Sequence, residues 1–187
     1  MKVEPLDRSF GAKVSELSLP DLNQDEVQDI YKLWLQYALL IFPQQNLTNS
    51  QQIEFAKNFG ALEFDLSPIS NVRNDGSIRD ANDDDIVKSL KGNMEWHHDS
   101  TYMPIQAKGA VFTAHKVPKK GGETGWADMR AAYEGLSESM KEKIQDLSAY
   151  HSYEWSQKER FGHKDPKVSE FNLSLIHISE PTRRAII

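Results

Sequence analysis

The chain has 187 residues, 39% of them apolar and 27% charged, which is ordinary for one soluble domain with a real core. Its 28 acidic and 22 basic residues give a net charge of -6 with no basic stripe, so a run of phosphates has nothing to bind and nucleic acid is excluded as a partner. There is no cysteine, which removes disulfides, thiolate nucleophiles and Cys-ligated metals. Met1 to Arg8 holds no apolar signal-like stretch, and no run approaches the roughly 20 apolar residues of a membrane span. The expected address is therefore cytoplasmic, away from membranes, and self-association into a homo-oligomer is compatible with this composition.

Along the chain, Asn23 with Glu26 reads as a helix cap, and Val27, Ile30, Tyr31, Trp34 and Tyr37 follow at helical spacing. Ala38 to Phe42, stopped by Pro43, reads as a short buried strand. Thr48 with Gln51 opens a second helix, with Ile53, Ala56 and Phe59 on one face and Gly60 as its stop. Asn74-Asp75-Gly76 between Ile69 to Val72 and Ile78 predicts a hairpin. Asp80 to Asp85 carries four aspartates and reads as a solvated loop, without the Gly and terminal Glu of a Ca²⁺-binding EF-hand. Gly109 to His115 reads as a strand, Lys119 to Gly122 as a turn, and Met129 to Tyr133 and Ser137 to Leu147 as helical pieces. Strands and helices without regular βαβ alternation leave two architectures open: an α+β domain, or a β-barrel-like core with helices outside.

The chemistry concentrates in Glu95-Trp96-His97-His98-Asp99-Ser100. In an extended segment, side chains at i and i+2 leave the backbone on the same side, so His97 and Asp99 can converge on one ion while His98 points away. One imidazole and one carboxylate, completed by a second imidazole, form a facial triad that leaves three positions of Fe(II) open for a bidentate 2-oxo acid and O₂. The plain alternative is a surface hydrogen-bonded pair. A rival from another enzyme class is a hydrolase in which His97, His98 and Asp99 hold Zn²⁺ and activate water.

The surroundings of this pair extend well beyond it. Trp96-His97-His98-Asp99-Ser100 is preceded by Ile69-Ser70-Asn71 and Phe55 to Glu63, and followed by Gly121-Gly122-Glu123-Thr124 and Asp128-Met129-Arg130-Ala131-Ala132-Tyr133. In order and separation these segments resemble the TauD/TfdA family of Fe(II)/2-oxoglutarate-dependent dioxygenases, with the nearer likeness to 2,4-dichlorophenoxyacetate dioxygenases. The resemblance covers about residue 8 to about residue 160. It implies a mainly β fold with outer helices, the double-stranded β-helix or jelly roll, incomplete in this chain. It implies that His97 and Asp99 bind Fe(II), that the Thr124 hydroxyl binds a carboxylate of the cosubstrate 2-oxoglutarate, and that Asn93 contacts substrate. The plain alternatives are an ordinary strand threonine for Thr124 and a turn-forming asparagine for Asn93. Trp96 is expected to pack beside the metal strand, and Asp128 to cap a helix. The implied reaction is hydroxylation of a small organic acid, an aryloxy or alkyl carboxylate or a sulfonate, with O₂ split and 2-oxoglutarate decarboxylated to succinate.

The family also supplies a second histidine and an arginine far downstream, and neither has a match here. His115, His151 and His163 come too early in the family's order. His177 lies in Leu173 to Arg183, which resembles one translated frame of a transposase sequencing adapter. This divides the chain into 1–172, the N-terminal part of a dioxygenase domain, and 173–187, a non-native tail whose Arg183 and Arg184 are no candidates for the missing arginine. A barrel lacking strands exposes open edges, and two ligands hold Fe(II) less well than three. The chain as written is therefore expected to be inactive, a non-catalytic fragment in practice.

Overall fold

The computed structural model describes residues 1–80, 82–92, 94–155 and 173–177. In chain order its elements are β1 (Lys2–Pro5), β2 (Ala12–Ser15), a 3-10 turn (Leu19–Asp21), α1 (Gln24–Tyr37), β3 (Leu40–Ile41), α2 (Asn49–Lys57), α3 (Asp85–Gly92), α4 (Met129–Glu134), α5 (Glu138–Ile144), β4 (Ser148–Ser152), α6 (Tyr153–Trp155) and β5 (Leu173–His177). They fall into two compact units, Met1–Leu66 with Ala107–Leu147 and Ser67–Gln106 with Ser148–His177, each taken over its described residues. Helices and short strands are mixed in both, which among the described residues is consistent with the expected β fold with outer helices in incomplete form. None of the described helices is long and apolar enough to cross a membrane.

In the first unit β1 and β2 pair antiparallel, and β3 joins β2 in parallel with Ala12 opposite Leu40. The alternation of β2 explains its seat: Ala12 and Val14 are fully buried, while Lys13 faces out and reaches Glu4 at 3.6 Å. Gly11 enters this strand at φ +95°, a backbone conformation that favours glycine, and a Cβ there would push the end of the Leu6 side chain, 2.8 Å away. α1 and α2 start where the caps predict, each with a reciprocal capping box, Asn23 with Glu26 and Thr48 with Gln51. α1 ends at Ala38, which takes a left-handed φ of +62° and donates its N–H to the Trp34 carbonyl. That cap uses the residue expected to open a strand. The expected strand Ala38 to Phe42 consequently shrinks to Leu40–Ile41, and Ile41 is 44% exposed rather than buried.

The core of this unit is Leu19, Ile30, Leu47 and Phe55, with Phe42, Phe59 and Val111 packed against it. Phe55 meets Phe42 and Phe59 edge to face at 5.9 and 5.2 Å. Gly109 to His115 is not a strand, which corrects the sequence expectation. It brings Gly109 against the Trp34 ring and Val111 onto the core, but no neighbouring strand pairs with it among the described residues; the Gln52 side chain donates to the Val111 carbonyl at 2.9 Å instead. Alternation made the segment look like a strand, and a strand also needs a ladder. α4 is capped by Asp128, whose carboxylate accepts from Arg130 and Ala131 N–H at 3.1 Å each. Burial alone would raise the Asp128 pKa, but the Ala131 N–H, the Ser9 hydroxyl and the Arg130 N–H and charge hold it below the usual carboxylate range.

In the second unit the predicted hairpin forms, with Val72 and Ile78 bridged and Gly76 at φ +84°. The Asp75 carboxylate accepts from the Ser77 N–H and hydroxyl at 2.9 and 2.7 Å. In the acidic run behind it Asp80 and Asp83 are exposed, as a solvated loop would have them, and Asp84 departs from that expectation. Asp80 accepts from the Asn82 and Asp83 N–H groups, and Asp84 turns inward, its side chain 10% exposed, onto Arg73 at 2.7 Å and Arg79 at 3.3 Å. Its other oxygen accepts from Ile86 N–H at 3.0 Å at the start of α3. Burial pushes Asp84 up, yet the Arg79 hydrogen bond and charge and the Ile86 and Val87 amides outweigh it and hold the carboxyl low. β4 and β5 form an antiparallel pair with Tyr150 opposite Leu175. β5 is the first part of the segment that resembles translated adapter, and a backbone ladder asks only for an extended partner.

Candidate metal centre

His97 and Asp99 belong to the second unit, in a connection that follows α3. His97 and His98 carry no strand pairing, and the chain turns over Asp99 to Tyr102 with Ser100 at φ +56° and the Met103 N–H bonded to the Ser100 carbonyl at 3.0 Å. Within this short segment the structure brings His97 Nε2 to 3.0 Å from Asp99 Oδ1. His97 Nδ1 lies 2.6 Å from the Glu95 carbonyl, which accepts only if that nitrogen carries the ring proton. The neutral ring then presents an electron pair at Nε2, facing a carboxylate oxygen that also presents one. A spacing of 3.0 Å fits both a hydrogen-bonded ion pair with a protonated ring and two ligands of one metal ion with a neutral ring.

The donor set suits a metal. Adjacent ligands on an octahedral ion with bonds of about 2.1 Å stand about 3.0 Å apart, and that is the spacing of Nε2 and Oδ1. A backbone carbonyl on the second ring nitrogen is the usual support for a metal-bound imidazole, fixing its tautomer and orientation. Both side chains are about half exposed, so an ion has access.

The remaining predicted residues are placed differently. Asn93 lies outside the described residues, as do His163, Arg183 and Arg184. Thr124 belongs to the first unit, exposed after Gly121 and Gly122, which both take φ +78° and turn the chain just before it. Trp96 is 76% exposed, which corrects the expectation that it packs beside the metal ligands; with no strand formed there, no sheet face exists for it to cover. His98 Nδ1 meets the Asp99 carbonyl at 2.7 Å. No group of three His, Asp or Glu side chains able to hold a metal is assembled among the described residues, so the zinc trio of His97, His98 and Asp99 is not formed there. One contributor escaped the sequence reading, the Glu95 carbonyl on His97 Nδ1, because a carbonyl has no residue signature.

A His-x-Asp pair with a supported imidazole defines a candidate mononuclear metal centre. The sequence pattern of the taurine catabolism dioxygenase TauD, TfdA family matches residues 2–187, and the chain belongs to that family. It is 55% identical over 163 residues to the (S)-phenoxypropionate/alpha-ketoglutarate-dioxygenase of Sphingobium herbicidovorans, covering 87% of this chain and 56% of that protein. It is 36% identical over 164 residues to the alpha-ketoglutarate-dependent 2,4-dichlorophenoxyacetate dioxygenase of Burkholderia sp. (strain RASC), covering 79% of this chain and 55% of that protein. Among solved structures it is similar to AAD-2 in complex with Mn(II) and N-oxalylglycine, with a TM-score of 0.77 and 33% identity over 89% of this chain and 62% of the other. The chain thus spans little more than half the length of the curated relatives it matches.

Proposed function

We propose that the chain carries two metal ligands of an Fe(II)/2-oxoglutarate-dependent dioxygenase that hydroxylates a small organic acid on a jelly-roll scaffold. The observation that carries this reading is the 3.0 Å spacing of His97 Nε2 and Asp99 Oδ1, with the imidazole held by the Glu95 carbonyl. Family membership supports the choice of Fe(II) with 2-oxoglutarate over a hydrolytic Zn²⁺, and Mn(II) is the divalent ion in the related AAD-2 structure. An aryloxy or alkyl carboxylate is the substrate class favoured by the names of the relatives, with a sulfonate second.

When bound, Fe(II) supplies activation of O₂ coupled to decarboxylation of 2-oxoglutarate to succinate and CO₂, with the other oxygen atom delivered to the substrate. The chain's own residues do the holding. His97 would offer Nε2, its Nδ1 being directed at the Glu95 carbonyl, and Asp99 a carboxylate that offsets one positive charge of the ion. Thr124 would direct its hydroxyl at a carboxylate of 2-oxoglutarate, and Asn93 would contact the substrate. The triad needs a further imidazole, so we propose that the 187-residue chain alone does not turn over.

The test has two parts. Under anaerobic conditions the purified chain should bind Fe(II) in a manner that depends on His97 and Asp99. The uninterrupted polypeptide, supplied with Fe(II), 2-oxoglutarate, O₂ and a phenoxyalkanoate, should form succinate. Metal-dependent turnover without O₂ or 2-oxoglutarate would overturn the dioxygenase reading. Stoichiometric Fe(II) binding with 2-oxoglutarate consumption by the 187-residue chain would overturn its inactivity.

A further inference from the structure

The segment that presents His97 and Asp99 has no ladder to hold it among the described residues, and its turn passes through a left-handed Ser100. A metal pair on such a loop keeps its geometry only if something outside the loop fixes it. One element of the same unit does so. Tyr102, three residues beyond Asp99, packs its ring on that of Tyr153 with centroids 4.9 Å apart at an interplanar angle of 49°, both side chains part-buried. Tyr153 opens α6 directly after β4, and this helical turn is fixed by Ser152, whose hydroxyl accepts from the Trp155 N–H at 3.1 Å. Tyr102 is thus in contact with the first residue of this capped turn.

We propose that Tyr153, through its stacking on Tyr102, is a positioning residue that holds the His97 and Asp99 loop in its metal-binding form. The proposal rests on the metal reading of that pair. If the ring contact is lost, the loop spends less of its time in the binding form, and the apparent metal affinity falls in proportion to that fraction. An aromatic pair of this kind corresponds to a change of about threefold to tenfold in affinity.

The experiment titrates the whole 187-residue chain with Mn(II), following free Mn(II) by electron paramagnetic resonance, with circular dichroism as a check on folding. Tyr153→Leu should weaken Mn(II) binding by about threefold to tenfold, and Tyr153→Phe, which keeps the ring face, should stay within about twofold of the parent. Tyr102→Leu should show the same loss from the loop side, and the double variant no more than either single one. If Tyr153→Leu proves unfolded, Tyr102→Leu carries the test alone. Unchanged affinity in the folded leucine variants, alongside a clear loss in His97→Ala, overturns the positioning role and leaves the metal reading standing. An equal loss in Tyr153→Phe, or additive losses in the double variant, overturns stacking as the route. Unchanged affinity in His97→Ala overturns the metal reading itself, and the proposal with it.

Discussion

Replacing Asp99 with Asn keeps the shape of the metal pair and removes its negative charge. A divalent ion about 2.1 Å from a carboxylate oxygen interacts with it by about 4 kcal/mol in the dielectric of bulk water, equivalent to about three orders of magnitude in a binding constant. The water value is the appropriate one, because the Asp99 side chain is 48% exposed. Asparagine retains an oxygen donor and part of the attraction, so D99N should weaken Mn(II) or Fe(II) binding by about 100-fold to 1,000-fold. Folding should hardly respond: an exposed pair such as His97 with Asp99 is worth at most about 1 kcal/mol. Titration calorimetry under anaerobic conditions measures the first quantity and urea denaturation the second. Metal affinity within about threefold of the parent would refute the assignment of Asp99 as a ligand, since no dielectric above that of water exists to mask the lost charge.

Ile30→Ala truncates the most deeply buried side chain of the first unit's core cluster, 2% exposed and packed with Leu19, Leu47 and Phe55. It should destabilise that unit by about 2–5 kcal/mol, read as a lower urea midpoint. Asp128→Ala frees the Arg130 and Ala131 amides at the start of α4 and should lower stability by about 0.5–2 kcal/mol, read from the same denaturation curves. In the second unit, the Asp84 pKa is lower folded than its unfolded value of about 3.9. The stability it provides is therefore full above that value and is lost as pH falls through the lower folded pKa. Asp75, held low by the Ser77 hydroxyl and amide, and Asp80, held low by the Asn82 and Asp83 amides, lose theirs in the same range. Exchange protection of the Arg73 and Arg79 amides, bonded to the Ser77 and Asn71 carbonyls, should drop as pH falls below about 4. Asp84→Asn should flatten that drop.

What could be read from the sequence divides along the range of the interactions. The caps were legible because both partners sit within one turn: Asn23 with Glu26, Thr48 with Gln51, Asp128 with the amides after it. The hairpin about Gly76 was legible for the same reason. β1 and β2 were not, because each is four residues long and declares itself only when paired. The acidic run misled at Asp84 because its meaning there depends on Arg73 and Arg79, which the hairpin folds back onto Asp84. Charge count alone cannot distinguish a solvated aspartate from one held by two guanidinium groups. Gly109 to His115 shows the converse: a strand-like alternation whose inward residues do reach the core, without a neighbour to make it a strand.

The candidate site follows the same division, and it bears on where the third ligand must come from. His97 and Asp99 were legible because i and i+2 share a side, and their donors do meet. The local sequence then has little more to give. The Glu95 carbonyl is engaged by His97 Nδ1, and His98 Nδ1 is directed to the Asp99 carbonyl. A facial triad built here must therefore draw its second imidazole from a remote part of the polypeptide. Joining two remote segments demands that each already hold its shape, or the entropy of ordering both falls on the metal. On this half the chain provides that order from outside the loop, through the packing of Tyr102 on Tyr153.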